Sequence, residues 1–422
     1  MSSKQEYEDI PGTWVFDAQR ARKGFHLNQF LYSLMKAENR KRFLADERTY
    51  LDEWPMSEEQ KVAVMKRDWN TLLHLGGVSY ALAKLAFTDE HSYQYMAAEM
   101  CGLTQEEYAA MMMGGGRKGW LAVQERTRRS LMAKIIAGMG TSHTPAIGAA
   151  LDNGKSGEPY WKPIFEGYAG AQAWMEQNKP DVAIIVYNDH VNAFDFRIIP
   201  TFAIGCGSQY PIADEGWGAR PVPVVEGYPE FGAHIAQELI LNDFDMTIIN
   251  EMEVDHGLTV PLSVAFGQPK AWPCRVIPLA VNVVQYPAPS GRRCYNLGKA
   301  IKKAVESWDE DLKVVVFGTG GMSHQIQGPR AGLINTPFDT AFLDGLSANP
   351  EKLCEIKDIE YMREAGNEAI ELVMWLMMRG ALGDQVDEVF RFYHVPASST
   401  GVGSIILETR DYHEANKART AA

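Results

Sequence analysis

The chain has 422 residues, of which 46% are hydrophobic and 23% are charged, and its net charge is −13. This length allows two or three domains with a sizeable core, and the composition argues against a largely disordered chain. The acidic balance, with no basic patch, argues against nucleic acid or an anionic membrane as a partner. We also expect no transmembrane helix and no secretory signal, because no long apolar run is present and the first residues are polar.

The cysteines indicate a reducing compartment. They are odd in number, scattered along the chain and without a CxxC pair, so neither a disulfide framework nor a zinc knuckle is expected. Reduced thiols of this kind are typical of a cytoplasmic protein. The five are Cys101, Cys206, Cys274, Cys294 and Cys354.

Residues 1–115 are predicted to form a small all-α domain. The segment from Asn28 to Phe43 carries apolar residues at helical spacing. Ser57 is followed by Gln60 three positions later, which is the pattern of a capping box at a helix start. Acidic and basic residues balance over residues 1–130, so the whole negative excess lies beyond residue 130.

A glycine-rich and basic stretch follows the helical part. It begins at Gly114 and predicts a linker over residues 116–131, before a new apolar strand starts. A long loop within one domain is the alternative interpretation. The prediction therefore gives a helical domain, a linker, an α/β catalytic domain over residues 132–408 and a polar, frayed tail over residues 409–422.

The pattern changes to α/β beyond residue 132. Short β-branched runs alternate with amphipathic stretches such as Phe231–Leu241 and Leu297–Ser307, which predicts a central β-sheet flanked by helices. The predicted strands are Ile135–Met139, Val182–Tyr187, Met246–Ile249, Val276–Val284 and Val314–Phe317.

Four of the ten histidines follow such strands. They lie beyond the carboxyl ends of the predicted strands, where open α/β sheets bind their ligands. If the strands are parallel, the four imidazoles are expected to converge on one crevice. The alternative is that they are unrelated histidines in separate loops. The four are His143, His190, His256 and His324.

Glu371 is a candidate metal ligand. It is the only charged residue in the apolar stretch Ala369–Met378, and a carboxylate buried there is costly unless it pairs with a charge or binds a metal. The alternative is that Glu371 lies on a solvent-facing stripe. Two histidines with one carboxylate suit non-haem Fe(II) that activates oxygen, and they also suit catalytic zinc, so the ligand types leave the metal open.

Longer motifs give the chain a family resemblance. From residue 132 to about residue 407 it resembles the catalytic β subunit of protocatechuate 4,5-dioxygenase, a type II extradiol dioxygenase. The first 115 or so residues resemble the small helical α subunit, so the chain resembles a fusion with the α-like part first. The β-like strings are SHTPAIGAA, VYNDH, FDFRIIPTFAIG, ADEGWGARPVP, VDHGLTVPLS, WPCRVIP, GTGGMSHQIQGPRAGLIN, ELVMWLMMRGAL and YHVPAS, and the α-like strings are DIPGTWVFDAQRARKGFHLNQF, SLMKAENRKRF, YLDEW and LTQEEY.

The resemblance implies roles at the reacting centre. His143, His190 and Glu371 would bind an Fe(2+) cofactor. His324 would be the acid–base histidine, and His256 would be a second active-site histidine near the substrate or oxygen.

The resemblance also implies substrate contacts. Asn188 and Ser398 match family residues that line the substrate pocket. Tyr93 falls where the protocatechuate enzyme has a phenylalanine at the mouth of the site. Its added hydroxyl favours a substrate with one more oxygen than protocatechuate.

The implied function is extradiol ring cleavage with insertion of both atoms of O2 into a protocatechuate-type catechol acid, in lignin-derived aromatic catabolism. The substrate expected first is 3-O-methylgallate (3,4-cleavage), with gallate and protocatechuate as alternatives. The implied partners are this aromatic acid, O2 and a second copy in a homodimer. A zinc hydrolase with the same histidine and glutamate set, and a non-catalytic scaffold, are the competing classes.

Overall fold

A computed structural model describes Tyr7, Ile10, residues 12–116 and residues 132–420. Contacts divide the chain into two compact units, with the division between residues 128 and 129. We call them the helical unit and the α/β unit. The predicted linker lies outside the described residues apart from its first position. None of the helices in the described ranges is both long and apolar enough to cross a bilayer.

The helical unit is built on an aromatic core. The rings of Phe30, Phe43, Tyr50 and Trp54 contact one another with centroid separations of 5.4–6.4 Å. Ser57 and Gln60 form the predicted capping box at the start of a helix. The described helices are α1 (Ala18–Lys23), α2 (Phe25–Ser33), α3 (Ala37–Ala45), α4 (Glu47–Asp52), α5 (Glu58–Lys66), α6 (Trp69–His74), α7 (Ser79–Thr88), α8 (Tyr93–Cys101) and α9 (Gln105–Met113).

The segment from Asn28 to Phe43, which carries apolar residues at helical spacing, is divided between two helices. The chain turns after α2, where Leu34 donates its N–H to Leu31 three residues back, and α3 starts a new direction. The apolar spacing continues across the turn because both helices bury residues in one core.

The α/β unit contains an eight-stranded mixed sheet in the order β6-β3-β7-β2-β8-β1-β10-β9, and a separate two-stranded pair, β4-β5. The prediction of a small all-α domain followed by a sheet flanked by helices is therefore confirmed. The strands are β1 (Lys134–Thr141), β2 (Val182–Tyr187), β3 (Phe202–Gly205), β4 (Gln209–Tyr210), β5 (Val225–Glu226), β6 (Thr247–Ile249), β7 (Arg275–Val281), β8 (Lys313–Thr319), β9 (Val386–Ala397) and β10 (Thr400–Thr409).

The helices of this unit follow its strands along the chain. A 3₁₀ turn over Asn367–Glu371 leads into the most deeply buried of them, α18. The helices are α10 (Pro145–Asp152), α11 (Lys162–Asn178), α12 (Pro229–Leu241), α13 (His256–Phe266), α14 (Gly291–Glu306), α15 (Thr336–Ala348), α16 (Pro350–Leu353), α17 (Asp358–Glu364), α18 (Leu372–Gly380) and α19 (Arg410–Thr420).

Strand direction decides which loops share an edge of the sheet. The central strands β7, β2, β8 and β1 are parallel, so their carboxyl ends lie at one edge. β3 is antiparallel to β7 and parallel to β6, so β6 runs opposite to the central strands. The expectation that all four histidines follow parallel strands is therefore wrong for His256.

The two faces of the sheet carry different helices. On one face α18 packs directly on the strands, and a Cβ on Gly140 would lie 2.4 Å from the ring of Trp375. Alternate residues of β1, such as Met139, face the opposite way into the core that α11 and α13 share. Glycine at position 140 thus lets α18 come close to the strands whose ends carry the candidate site.

The residues expected to form a frayed tail are helical instead. In α19 the Tyr412 hydroxyl donates to Asn178 at 2.6 Å, and His413 Nδ1 lies 2.6 Å from the buried carboxylate of Glu408. These contacts tie the polar helix to the sheet and to α11. The prediction of fraying is therefore wrong for Arg410–Thr420.

Candidate metal centre

Three of the candidate histidines leave parallel strands at the same edge of the sheet. His143 follows β1, His190 follows β2 and His324 follows β8. Glu371 ends the 3₁₀ turn before α18, which packs on β8 and β1. The fold thus brings residues from four distant stretches to one place.

His256 reaches the same place by another route. The chain leaves β6, returns through residues 250–255 and begins α13 with His256 as its first helical residue. Asp255 caps this helix by accepting the N–H of Gly257 at 2.9 Å. The predicted convergence is therefore found, although its premise of parallel strands fails for this histidine.

The rings of His143, His190 and His256 form a compact cluster. Ring centroids lie 5.2 Å apart for His143 and His190, and 4.0 Å apart for His190 and His256. One nitrogen from each ring lies within 4.8 Å of the others, a spacing at which the three could hold a metal ion. His143 Nε2 is buried and has no hydrogen-bond partner among the described residues.

Glu371 faces this cluster and is not on a solvent stripe, since it is only 4% exposed. Its Oε2 lies 3.4 Å from His143 Nε2 and 3.7 Å from His324 Nδ1. Burial favours the neutral acid, but the charges of His143 and His324 outweigh it and hold the pKa of Glu371 well below its ordinary value. The carboxylate is therefore ionised and faces a nitrogen that has no other partner.

Two glycines after β8 allow the carboxylate this position. Gly321 donates its N–H to Glu371 Oε2 at 2.7 Å. Gly320 has φ +131°, and a Cβ there would lie 2.5 Å from Glu371 Cβ. A side chain at Gly320 would therefore displace Glu371.

His143 and His190 are oriented by groups behind them. Thr319 Oγ1 lies 3.0 Å from His143 Nδ1, and Asp255 Oδ2 lies 3.0 Å from His190 Nδ1. Burial lowers the pKa of His190, but the charge of Asp255 and its hydrogen bond outweigh burial and raise it to about 9. Partners on Nδ1 leave each Nε2 directed towards the cluster, as is usual for metal-binding histidines.

Asn188 contacts the cluster directly. Its Nδ2 lies 3.0 Å from His190 Nε2, and its Oδ1 is buried without a partner among the described residues. Asn188 can therefore offer an acceptor to a ligand beside His190.

His324 lies on the other side of Glu371. Its side chain is 14% exposed, and its Nδ1 is buried with no hydrogen-bond partner in the described part of the chain. Its backbone N–H donates to Ala365 at 2.7 Å, and the residue pairs with Thr400 of β10 in an isolated bridge. The backbone is thus fixed while the ring keeps polar capacity for a ligand.

Two predicted substrate residues stay predictions. Ser398 lies at the turn of the β9–β10 hairpin with φ +57°, and its N–H donates to the Tyr160 hydroxyl at 3.2 Å. Tyr93 is the first residue of α8 in the helical unit, and 45% of it is exposed. Ser398 makes no described contact with the histidine cluster.

Sequence reasoning missed three residues that bond the histidines. Thr319 and Asp255 could have been found, since one lies two residues beyond a predicted strand and the other directly precedes His256. Glu215 lies in an irregular loop, and its Oε2 is 2.5 Å from His256 Nδ1. It carried no signal beyond its place in the string ADEGWGARPVP.

The donor set fits a divalent transition metal. Buried imidazole nitrogens and an ionised carboxylate suit Fe(II) or Zn(II), and the unpartnered His143 Nε2 is a donor atom that needs such a partner. His143, His190 and Glu371 form the predicted ligand set, and His256 offers a further nitrogen. Ligand types alone leave the choice between iron and zinc open.

Comparisons with known proteins place the chain in a family. Residues 137–403 match the catalytic LigB subunit of aromatic ring-opening dioxygenase, and residues 27–113 match the LigA subunit of the same type of enzyme. The chain therefore belongs to the LigAB family, with both subunit types in one polypeptide. The family resemblance seen in the sequence is confirmed.

The particular relatives are dioxygenases by name. A gallate dioxygenase of Pseudomonas putida (strain KT2440) is 42% identical over 200 residues, which cover 47% of this chain and 58% of that protein. Two 2,3-dihydroxyphenylpropionate/2,3-dihydroxicinnamic acid 1,2-dioxygenases, from Mycolicibacterium paratuberculosis and Mycobacterium sp. (strain MCS), are 30% and 33% identical over 45% and 44% of this chain and 58% and 55% of their own lengths. The chain thus spans a little over half the length of the curated relatives it matches.

A solved structure of an uncharacterized protein from Escherichia coli K12 aligns with 64% of this chain and 99% of its own length, with 12% identity and a TM-score of 0.39. This likeness is too low to support a functional argument.

Proposed function

We propose that the protein is an extradiol ring-cleaving dioxygenase that holds Fe(2+) with His143, His190 and Glu371. The observation that carries the proposal is the buried carboxyl group of Glu371, which faces the unpartnered Nε2 of His143 in a chain of the ring-opening dioxygenase family. When bound, the iron supplies a positive charge that acidifies a catechol hydroxyl and a position at which oxygen is activated.

The protein's own groups manage protons around that centre. His324 acts as the acid–base group, because its buried Nδ1 has no hydrogen-bond partner among the described residues and lies 3.7 Å from Glu371 Oε2. Its imidazole accepts a proton from a substrate hydroxyl and returns it as the ring opens. Asn188 Oδ1 accepts a hydrogen bond from the substrate beside His190.

The substrate is a protocatechuate-type catechol acid, and 3-O-methylgallate is the first choice. The extra hydroxyl of Tyr93, compared with the phenylalanine of the protocatechuate enzyme, supports a ring with one more oxygen. Gallate is the second choice, supported by the 42% identical gallate dioxygenase. Protocatechuate is the third. Because the chain carries a charge of −13, affinity for these anions has to come from the metal and local donors such as Ser398, not from long-range attraction.

The cellular setting belongs to the same proposal. We place the protein in the cytoplasm, in the catabolism of lignin-derived aromatics, and as a homodimer. No disulfide is found among the cysteines of the described residues, which supports a reducing compartment. Sedimentation analysis of the purified protein tests the dimer.

The test is oxygen uptake after anaerobic loading of the purified protein with Fe(II). The three candidate acids are assayed in parallel at equal concentration, with zinc-loaded protein as the matched control. We expect one O2 consumed per ring cleaved with the iron form only, and the highest kcat/KM with 3-O-methylgallate. Iron-loaded protein that consumes no oxygen with any of the three acids would contradict the proposal, and hydrolytic activity of the zinc form would favour the competing class.

A further inference from the structure

Glu215 is a buried carboxylate in an irregular loop. Residues 211–224 connect β4 to β5, and both neighbours of Glu215 in the chain, Asp214 and Gly216, are less buried than its side chain, which is 6% exposed. Burying an acid in such a loop is costly unless its oxygens are satisfied. Both oxygens bond a single residue, His256.

These two bonds act on different groups of His256. Glu215 Oε1 accepts the backbone N–H at 3.0 Å, and Oε2 lies 2.5 Å from the ring nitrogen Nδ1. The cap of α13 is already supplied by Asp255, so helix capping does not account for the bond to the ring. A carboxylate can only accept, so Nδ1 carries the proton of the neutral ring and Nε2 keeps its lone pair.

The same arrangement occurs at the neighbouring ring. Asp255 Oδ2 bonds His190 Nδ1 just as Glu215 bonds His256 Nδ1, and the two rings lie 4.0 Å apart between their centroids. Two carboxylates thus turn the Nε2 atoms of two adjacent imidazoles towards the cluster that also includes His143.

The loop that carries Glu215 is held by a buried guanidinium. Arg220 donates to both oxygens of Asp152 at 2.9 Å, and to Thr259 and Ser263 at 3.1 and 3.2 Å. Asp152 ends α10, which begins just after His143, and the two hydroxyls lie on α13, which begins at His256. One side chain therefore connects the Glu215 loop to the two helices that follow His143 and His256.

We propose that Glu215 is a positioning residue that fixes His256 as the Nδ1-protonated tautomer, with the Nε2 lone pair facing substrate and oxygen, and that Arg220 holds the loop that makes this possible. The role of His256 rests on the proposed function, but the tautomer does not. The inference concerns which nitrogen carries the proton of a neutral ring.

The test compares Glu215→Gln with Asp214→Asn. Glutamine offers one acceptor oxygen and one NH2 donor in place of two acceptor oxygens. Either the backbone N–H or the ring Nδ1 of His256 must therefore face the NH2 group. Because the backbone N–H can only donate, it keeps the oxygen, and Nδ1 accepts from the NH2 group, which favours a proton on Nε2. Asp214 accepts the N–H groups of Gly216 and Gly218 in the same loop, and asparagine keeps that acceptor. Asp214→Asn thus removes a charge at the adjacent position without changing the contacts of His256.

The first readout is the ¹⁵N spectrum of histidine-labelled, metal-free, full-length protein, with the His256 signals assigned by their loss in His256→Ala. We expect Nδ1–H in the wild type and in Asp214→Asn, and a shift towards Nε2–H in Glu215→Gln. A wild-type ring protonated on Nε2, or no change in Glu215→Gln, would overturn the inference. If Glu215→Gln does not fold, the wild-type spectrum still shows which ring nitrogen of His256 carries the proton, and a proton on Nε2 would overturn the inference.

The second readout is the kinetics of the iron-loaded protein. We expect Glu215→Gln to lower kcat by about 10–100-fold with KM little changed, and to have no further effect in the His256→Ala background. If Glu215→Gln lowered kcat by the same factor in the His256→Ala background as in the wild type, Glu215 would act on a group other than His256. That result would overturn the inference. If the wild type takes up no oxygen, the proposed function fails while the spectrum still reports on Glu215.

Discussion

The two units bury different kinds of side chain. In the described helical unit the buried residues are apolar except for Gln60, Lys61 and Thr88, and its ion pairs, such as Arg67 with Glu47, are partly exposed. The α/β unit instead buries histidines and carboxylates at one edge of its sheet. Two of their nitrogens, His143 Nε2 and His324 Nδ1, have no hydrogen-bond partner in the described part of the chain.

The α/β unit gives up stability at the edge of its sheet where the candidate site lies. A buried polar atom without a hydrogen bond costs free energy, and a ligand that bonds it restores that energy. The helical unit should therefore behave as a structural body, while substitutions at the sheet edge should affect binding and turnover more than folding.

The largest expected effect is loss of iron. His143→Ala, His190→Ala and Glu371→Ala each remove a donor, so we expect little iron per chain after desalting. The matched control lies in the helical unit, where the Asn28 side chain donates to Gly76 at 2.9 Å and accepts from Val78 at 3.0 Å.

Asn28→Ala should lower the free energy of unfolding by about 1–3 kcal/mol through these lost hydrogen bonds and leave the iron content unchanged. Elemental analysis and thermal unfolding measure the two effects. Normal iron content in all three site variants would contradict the expectation that substitutions at the sheet edge of the α/β unit affect binding.

The next effect separates binding from turnover within the α/β unit. His324→Phe keeps the size of the ring but removes its proton-carrying nitrogens, so kcat should fall by about 10²–10⁴-fold. Iron content and anaerobic substrate affinity should stay near those of the wild type. Turnover close to the wild-type rate would show that His324 is not the acid–base group.

A smaller effect tests a buried charge that lies away from the cluster. Arg220→Met leaves Asp152 without its bidentate partner, and breaking a buried pair in this way costs about 3–5 kcal/mol. Chemical denaturation followed by fluorescence should show this loss. An unchanged midpoint would mean that Arg220 does not hold the loop.

The smallest expected change is in KM, and it tests whether the helical unit is only structural. Tyr93→Phe alters the helical unit, and Ser398→Ala alters the hairpin turn of the α/β unit. If each loses one hydrogen bond to substrate, KM should rise about 2–10-fold at unchanged iron content. A rise in the KM of Tyr93→Phe for 3-O-methylgallate but not for protocatechuate would show that the helical unit takes part in substrate choice. If Tyr93→Phe and the wild type had equal KM values, the role of the helical unit would be purely structural.

The sequence predicts those features of the site that depend on a local pattern of residues. The histidines follow β-branched strands, and Glu371 is the one charged residue in the apolar stretch Ala369–Met378, so both could be predicted without knowing the fold. The direction of β6 could not, because it depends on pairing with β3, a four-residue strand that was not recognised.

Other features depend on tertiary contacts alone. Val386–Ala397 is the edge strand of the sheet and is mostly half-exposed, so its mixed polar sequence resembles a loop. Glu215 and Arg220 matter because of residues that are distant in sequence, namely His256 and Asp152. Periodicity and composition contain no record of such pairings.

The contacts of Arg220 have a mechanical consequence. α10 has eight residues and so is about 12 Å long, and it acts as a short rod with His143 just before one end and Asp152 at the other. A displacement at Asp152 would be carried along this rod to His143, while α13 would carry the same movement to His256. The spacing of the two imidazoles therefore depends on contacts made at a point remote from the candidate metal centre.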